Sequence, residues 1–124
     1  MIRVIALLKR KPGLTREAFR AHYEEHHAAL GVKYLTAATY YARHYLTPIA
    51  EPLEGAVAEP AYDVLTELRF DDMAAFEAGM AQLQMPEAHA AISADEELLF
   101  DRSSNRLVMV ETCVSDLTVG NVLR

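Results

Sequence analysis

The chain has 124 residues, of which 52% are hydrophobic and 24% are charged. This length is typical of one domain, and the balance is that of a folded globular protein rather than a disordered one. Twelve basic and 18 acidic side chains give a formal net charge of −6, which lacks the positive field that attracts nucleic acid. No stretch approaches the roughly 20 apolar residues that span a bilayer, so no membrane partner is predicted either.

The single cysteine and the order of charges near the start favour a cytoplasmic protein. Cys113 has no partner for an internal disulfide, and its apolar strand pattern predicts a buried, inert thiol, with a nucleophile as the alternative. Near the start, a short apolar run precedes Lys9, Arg10 and Lys11, which reverses the order of a secretory signal.

The first half of the chain predicts a strand, a helix and a second strand. Residues 2–8 are a short run rich in Ile, Val and Leu, which favours a buried strand. Thr15 can cap a helix that continues to about Leu30. Residues 39–46 are dense in tyrosine, which favours a strand, and residues 47–61 are broken by prolines and glycine into a long loop.

The second half predicts a strand, two helical segments and a last strand. Residues 62–70 alternate between apolar and polar side chains, which is typical of a strand. Asp72 can cap the next helix, and Pro86 can open the second helical segment. In chain order, we expect these elements at residues 62–70, 73–83, 86–94 or beyond, and 106–114, with a turn at 101–105.

The resulting order, β-α-β-β-α-β with an extra helical piece, is that of the ferredoxin-like fold. Right-handed crossovers place both main helices on one face of a four-stranded antiparallel sheet. The predicted class is therefore α+β, with a domain at residues 1–114 and a C-terminal tail or dimer arm at residues 115–124.

The strands carry more apolar surface than helices on one side can cover. In the first strand, Val4 and Ala6 lie on one face and Ile5 and Leu7 on the other, and all four are apolar. An uncovered apolar face marks an interface, and two-fold self-association is the commonest closed symmetry. We therefore expect a homodimer in which two sheets form a barrel. The sequence does not decide which face of each strand meets the helices.

Histidines on the first helix are candidates for chemistry. His22 and His26 are four residues apart and point the same way, with Phe19 on their face, while Tyr23 and His27 form the adjacent stripe. Three interpretations stay open: a metal pair, a proton donor or acceptor in a pocket, and residues that only pack or hydrogen-bond. Because no third ligand is marked, no metal is predicted.

Further candidates lie on the middle strands. Tyr41 and His44 belong to the tyrosine-rich strand, while Asp63 and Glu67 share a face of the next one. These carboxylates could act as bases in a pocket or be neutralised by neighbouring arginines. Residues 95–97 are a run of acids that is typical of a charged helix end. No phosphate, dinucleotide or zinc motif is present, so no cofactor is predicted.

The run from Lys9 to Leu30 resembles the EthD-like family, whose members have a strand ending in Lys-Arg-Lys-Pro-Gly and a helix ending in His-Ala-Pro-Leu. Here Ala29 replaces that proline. Tyr62-Asp63 is similar to the family's Tyr-Asp-Gly, although valine follows here, and residues 86–101 are similar to its Pro-Glu…Asp-Glu…Phe-Ile-Asp stretch.

The resemblance implies a dimeric α+β barrel. Relatives in that superfamily are cofactor-free cyclases, dehydratases, decarboxylases and monooxygenases that act on aromatic or polyketide-like molecules, and the family is often called oxidoreductase. The residues that match its pattern are His27 and Asp63, with Tyr23 at the aromatic position.

We therefore hypothesise a small EthD-like enzyme that takes a hydrophobic aromatic, polyketide-like or ether-type molecule between sheet and helices. It would act by proton transfer or by cofactor-free oxidation. The expected catalytic residues are His22, Tyr23, His27 and Asp63, and the expected substrate-binding residues are Phe19, Tyr41, His44 and Glu67. The alternatives are a non-catalytic small-molecule-binding or accessory dimer and a barrel that holds haem or metal on its histidines.

Overall fold

A computed structural model describes residues 1–118 as one four-stranded antiparallel sheet with helices against it. In chain order the elements are β1 (Ile2–Leu8), α1 (Arg16–His22), a π-helical turn (Tyr23–His27), α2 (Ala28–Tyr34), β2 (Tyr40–Tyr45), β3 (Val64–Phe70), α3 (Met73–Leu83), α4 (Pro86–Leu99), a 3-10 turn (Arg102–Ser104) and β4 (Arg106–Met109). The strands lie in the order β2-β3-β1-β4. The predicted ferredoxin-like α+β class is confirmed. Residues 119–124 of the predicted tail lie outside the described residues.

Most predicted elements form where local signals mark them. Thr15 accepts a hydrogen bond from the Ala18 amide and caps α1, and Asp72 does the same for α3 through the Ala75 amide. The first helical stretch runs past Leu30, because the π-helical turn and α2 continue it to Tyr34. None of the helices within residues 1–118 is long and apolar enough to cross a membrane.

The last strand is shorter than predicted, and its cysteine is exposed. β4 ends at Met109, which pairs with Val4 of β1. Because the two strands run antiparallel, each further residue of β4 would pair nearer the start of β1, which begins at Ile2. The partner therefore ends before Cys113, so the prediction of a strand to residue 114 with a buried thiol is wrong.

The sheet turns Val4, Thr66 and Phe70 towards the helices. Two groups of buried side chains fill this contact: Phe19, Tyr23, Ala28, Val64, Leu99 and Phe100 in one, and Val4, Leu68 and Phe70 in the other. Each fully buried large apolar side chain contributes about 1.5–3 kcal/mol to folding. Gly31 lets β2 approach this layer, since a Cβ atom there would lie 2.5 Å from the Tyr41 ring.

The opposite face of the sheet has no covering element within residues 1–118. It carries the partly exposed apolar residues Ile5, Leu7 and Leu65, and the exposed Val108 beside them on β4. The structure thus shows which face of each strand meets the helices, which the sequence did not decide. Apolar residues occupy both faces of the sheet.

Glu24 ties the π-helical turn to β2. Its carboxylate accepts hydrogen bonds from Arg43 at 2.9 and 2.7 Å and from the Tyr45 hydroxyl at 2.5 Å. The hydrogen bond from Arg43 is the main reason that the pKa of Glu24 falls from 4.5 to about 2. The turn is therefore held to the sheet by an ionised carboxylate.

Replacement of Glu24 by glutamine should destabilise the fold by about 1 kcal/mol at pH 7, since a partly exposed ion pair is screened by water. A lowered pKa in the folded state contributes stability above pH 4.5, and the contribution is lost as the pH falls towards 2. Urea unfolding at pH 7 and pH 3 should show the difference between wild type and Glu24→Gln shrinking in acid. The neighbouring Glu25→Gln, whose side chain is exposed, is the control. An equal difference at both pH values would contradict the assignment.

Candidate functional site

A cavity of about 430 Å³ lies between the helix-facing side of the sheet and the helices. Ala6, Thr66 and Leu68 line it from the strands, and His27 lines it from the π-helical turn. Apolar side chains of α3 and α4 form further walls, and Phe100 just after α4 adds another. The residues are Met80, Leu83, Ile92 and Phe100.

Asp95 of α4 joins two histidines of the first helix. Its Oδ1 atom lies 2.7 Å from His22 Nε2, and its Oδ2 atom lies 2.8 Å from His27 Nδ1. The Asp95 side chain is only 12% exposed, and that of His27 is 11% exposed. A poorly hydrated carboxylate is stabilised by N–H donors, so Asp95, His22 and His27 form one hydrogen-bonded group.

The π-helical turn explains why Asp95 binds His22 and His27. In a regular α-helix, residues four apart share a face, which would group His22 with His26. Here the Ala28 amide donates to the Tyr23 carbonyl, five residues back, and this wider turn brings His27 round towards α4. The His22 and His26 rings still neighbour each other, with centroids 4.9 Å apart, but His26 is exposed.

The hydrogen bond to Asp95 fixes which nitrogen of neutral His27 carries the proton. An ionised carboxylate only accepts hydrogen bonds, so Nδ1 is the protonated nitrogen. Nε2 is then left with a lone pair, and no residue within 1–118 donates to it. A histidine held in this tautomer beside a cavity is suited to accept a proton from a ligand.

Hydroxyl groups line the cavity next to His27. The Tyr23 hydroxyl lies 2.6 Å from Thr66 Oγ1, and both side chains are buried. Burial is the main cause that raises the pKa of Tyr23 well above its usual value, with Tyr41 adding to the shift. Burial also raises the pKa of Tyr41, which lines the same cavity. Both phenols therefore stay protonated at neutral pH and remain donors.

Charged side chains stand at the rim of the cavity, where Arg102, Arg106 and Glu96 belong to its lining. The Arg102 guanidinium lies 3.5 Å from Glu96 and 2.7 Å from Glu97 on α4. Its side chain is 42% exposed. The cavity is thus apolar along its walls, with His27 and the hydroxyls inside it and a charged pair at its edge.

Three predicted residues share the cavity, and others do not reach it. His27, Tyr23 and Tyr41 line it together, and His22 contacts Asp95 behind His27. Phe19 is not part of the lining but is buried in the core, edge-on to Tyr23 and Phe100. Phe19 therefore supports two residues of the lining, Tyr23 and Phe100, and does not itself face a ligand in this cavity.

Asp63 lies just before β3 and is not among the residues that line the His27 cavity. Its carboxylate accepts from the Arg10 backbone amide at 2.9 Å and pairs with the Arg10 guanidinium at 3.2 Å. These bonds hold the charged loop between β1 and α1 against the start of β3. A separate opening of about 570 Å³ lies beside this loop and shares no residue with the His27 cavity. Asp63 is therefore placed as a loop anchor and not beside His27.

Glu67 and His44 lie on the outer face of the sheet, where the cavity is out of reach. Glu67 is buried and accepts from Arg3 at 3.0 Å and from Arg69 at 2.7 Å, and His44 lies 3.4 Å from it. The bond from Arg69 is the main cause that lowers the pKa of Glu67. Strand side chains alternate, so residues one position from Thr66 must point away from the cavity. The expected binding roles of Glu67 and His44 do not fit a ligand in this cavity.

Asp95 and Thr66 are the site residues that sequence reasoning missed. Asp95 belongs to an acidic run interpreted as a charged helix end, although the same stretch carried part of the family resemblance. Thr66 had no signal beyond its position on an alternating strand. Within the described part of the chain, no group of three potential metal ligands is arranged to hold an ion.

Comparison with known protein families identifies the family to which this chain belongs. Residues 11–103 match the EthD domain, which is most of the chain, so the protein belongs to the EthD domain family. No curated protein matches the chain.

Solved structures share the fold at low sequence identity. An EthD family protein from Bacillus halodurans is 17% identical with a TM-score of 0.61, covering 91% of this chain and all of its own. A dimeric protein of ferredoxin-like fold from Bacteroides fragilis is 16% identical with a TM-score of 0.55, covering 90% and 95%. A candidate antibiotic biosynthesis monooxygenase from Deinococcus radiodurans is 16% identical with a TM-score of 0.53, covering 94% and 96%.

Replacement of Asp95 by asparagine should release the His27 ring from its single tautomer. Asparagine keeps the shape but has one accepting oxygen, so it cannot accept from both histidines. At about pH 8, where ordinary histidines are neutral, ¹⁵N spectra of the wild type should show His27 protonated on Nδ1. The variant should show a mixture of tautomers and a stability loss of about 1–3 kcal/mol. The exposed His89 should be unchanged in both proteins, and an unaltered His27 spectrum would refute the assignment.

Proposed function

We propose that this EthD-domain protein is a small enzyme that binds a flat, mostly apolar molecule in the cavity and removes a proton from it with His27. The observation that carries the proposal is the hydrogen bond of 2.8 Å from His27 Nδ1 to Asp95, which leaves Nε2 as an acceptor beside the cavity. A base oriented by a carboxylate is the arrangement that general base catalysis needs.

The cavity suits the proposed ligand in size and polarity. Its volume of about 430 Å³ lies within the range of small-molecule pockets, which are about 300–1,000 Å³. The aliphatic walls from α3 and α4 and the Tyr41 and Phe100 rings favour a ring system over a charged metabolite. This supports the hydrophobic aromatic or polyketide-like class that the family resemblance implied.

Proton transfer in this site keeps the charges balanced. The ligand loses a proton to His27 Nε2 and becomes an anion, and the imidazolium that forms is stabilised by ionised Asp95. Water is largely excluded there, since His27 is 11% exposed, so the attraction between imidazolium and carboxylate is stronger than in solvent.

Oxidation is a second function that one observation favours. The fold is shared with the candidate monooxygenase from Deinococcus radiodurans. An electron-rich ligand anion could reduce dioxygen directly, with the ligand as electron donor, and this would need no resident cofactor. Oxygen uptake that accompanies ligand loss would identify this route, while proton transfer alone would leave the oxygen concentration constant.

Exchange of carbon-bound hydrogen for deuterium tests the proposed base. In D2O, the wild type should accelerate exchange next to the carbonyl of 2-tetralone, a flat apolar ketone, as followed by proton NMR. His27→Gln should reduce kcat/KM at least 100-fold, because base catalysis contributes about 10²–10⁴-fold. The control His89→Gln changes an exposed histidine of α4 and should match the wild type. Binding of 2-tetralone without accelerated exchange, or equal rates in His27→Gln, would favour a carrier and refute the enzyme.

The protein is also proposed to form a homodimer through the outer face of the sheet. The uncovered apolar residues on that face support this, and so does the dimeric state of the related protein from Bacteroides fragilis. A charged residue at the centre of such an interface would be left unpaired on association.

Sedimentation should therefore show a particle of twice the chain mass, and Leu65→Asp should convert it to a single chain. Leu65 lies on the outer face, paired with Leu7 of β1. The control is Val57→Asp, in the exposed loop between β2 and β3, which should leave the dimer intact. A wild type that sediments as one chain at high concentration would refute the dimer.

A further inference from the structure

The hydroxyl groups of Tyr23, Thr66 and Tyr41, here called the hydroxyl cluster, have one more donor than their mutual bonds can use. Tyr23 and Thr66 are hydrogen-bonded at 2.6 Å, and the Tyr23 hydroxyl also interacts with that of Tyr41. Three hydroxyls carry three hydrogens, and two links engage two of them. At least one O–H is therefore not used within the cluster.

The spare donor is placed where a ligand can reach it. All three members of the hydroxyl cluster line the cavity, and Tyr23 and Thr66 are 1% and 4% exposed. A donor that the cluster does not use can serve a ligand oxygen in the cavity, which favours ligands with an accepting oxygen at this position. Thr66 pairs across the sheet with Ala6, which also lines the cavity. The small Ala6 side chain leaves space for a ligand beside the Thr66 hydroxyl.

The hydroxyl cluster and the proposed base stand side by side. The rings of Tyr23 and His27 meet edge to face with centroids 5.1 Å apart. Because both groups line the same cavity, a ligand that places an oxygen on the cluster has its neighbouring atoms near the His27 ring. This arrangement joins a base to a donor aimed at developing negative charge, which is the pairing that stabilises an oxyanion.

We propose that the hydroxyl cluster is an oxyanion-binding site and that the ligand is an enolisable carbonyl compound. This inference rests on the proposed function of His27. The bond between hydrogen and the carbon next to the carbonyl breaks, and the proton moves to His27 Nε2. The electron pair of that bond becomes the carbon–carbon double bond, and the carbonyl π pair moves to the oxygen, which accepts from the cluster. Return of a proton from His27 restores the base, so no oxidant or cofactor enters the balance.

The cluster also predicts which ligands bind tightly. A planar enol or phenol has its oxygen in the position of the enolate oxygen, whereas the same ring without oxygen leaves the spare donor unpaired. The protein should therefore bind 2-naphthol more tightly than naphthalene. This preference is a binding property, so it can be measured independently of turnover.

Thr66→Val tests the oxyanion site because it removes the hydroxyl and keeps the branched shape. The exchange of 2-tetralone in D2O should fall about 10–100-fold in kcat/KM, since one donor to an oxyanion contributes up to about 10²–10³-fold and the cluster retains two hydroxyls. The preference for 2-naphthol over naphthalene should be lost in Thr66→Val. Thr66→Ser should restore both properties, and the exposed Thr39→Val is the matched control.

The outcomes separate this inference from the proposed function. If Thr66→Val exchanges 2-tetralone like the wild type while His27→Gln does not, the oxyanion site is refuted and the base stands. If His27→Gln is also like the wild type, the proposed function fails first. Should Thr66→Val not fold, Tyr41→Phe removes a hydroxyl nearer the edge of the sheet. An unchanged naphthol preference and exchange rate in that variant would refute the cluster.

Discussion

Asp95 holds together two parts of the chain that are about 70 residues apart. Its carboxylate accepts from His22 and from His27 and so joins α4 to the first helix. Without that carboxylate, two imidazole donors would be left unpaired in a poorly hydrated contact, and the His27 ring would be free to change its tautomer. The same interaction therefore supports the packing of two helices and the chemistry proposed for the cavity.

The π-helical turn makes this interaction possible and also builds the neighbouring part of the site. Tyr23 opens the turn and His27 closes it, so one local change of helix geometry sets the positions of both. Glu24 lies within the same turn and is held by Arg43 and Tyr45 of β2. A π-helical turn is an uncommon conformation that tertiary contacts must support, and here ion pairs and hydrogen bonds hold it from two sides.

The fold was predictable from local signals, and the site was predictable only in part. The helix at residues 73–83 has its cap and its apolar residues within one short segment, so its bounds agree with the prediction. His27 and Tyr23 are predictable from their shared stripe on the first helix and from the family resemblance. Asp95 was missed because its partners are far away in sequence and because a period of 3.6 groups His22 with His26 instead. The end of β4 likewise depends on where β1 begins, which no local pattern in residues 106–114 records.

The central strand β3 separates two kinds of polar chemistry. Thr66 faces the helices and contributes a neutral hydroxyl, while Glu67, one residue on, faces outward and is held ionised by two arginines. A buried ionised carboxylate is tolerated where cations donate to it, and here two arginines hold Glu67 in a fixed position on the outer face. A neutral hydroxyl on the inner face puts no anion on this part of the cavity, so a developing enolate would meet donors there. Glu96, which also lines the cavity, is paired with Arg102. The alternation of one strand thus keeps the carboxylate that the outer face requires away from the anion that the cavity is proposed to stabilise.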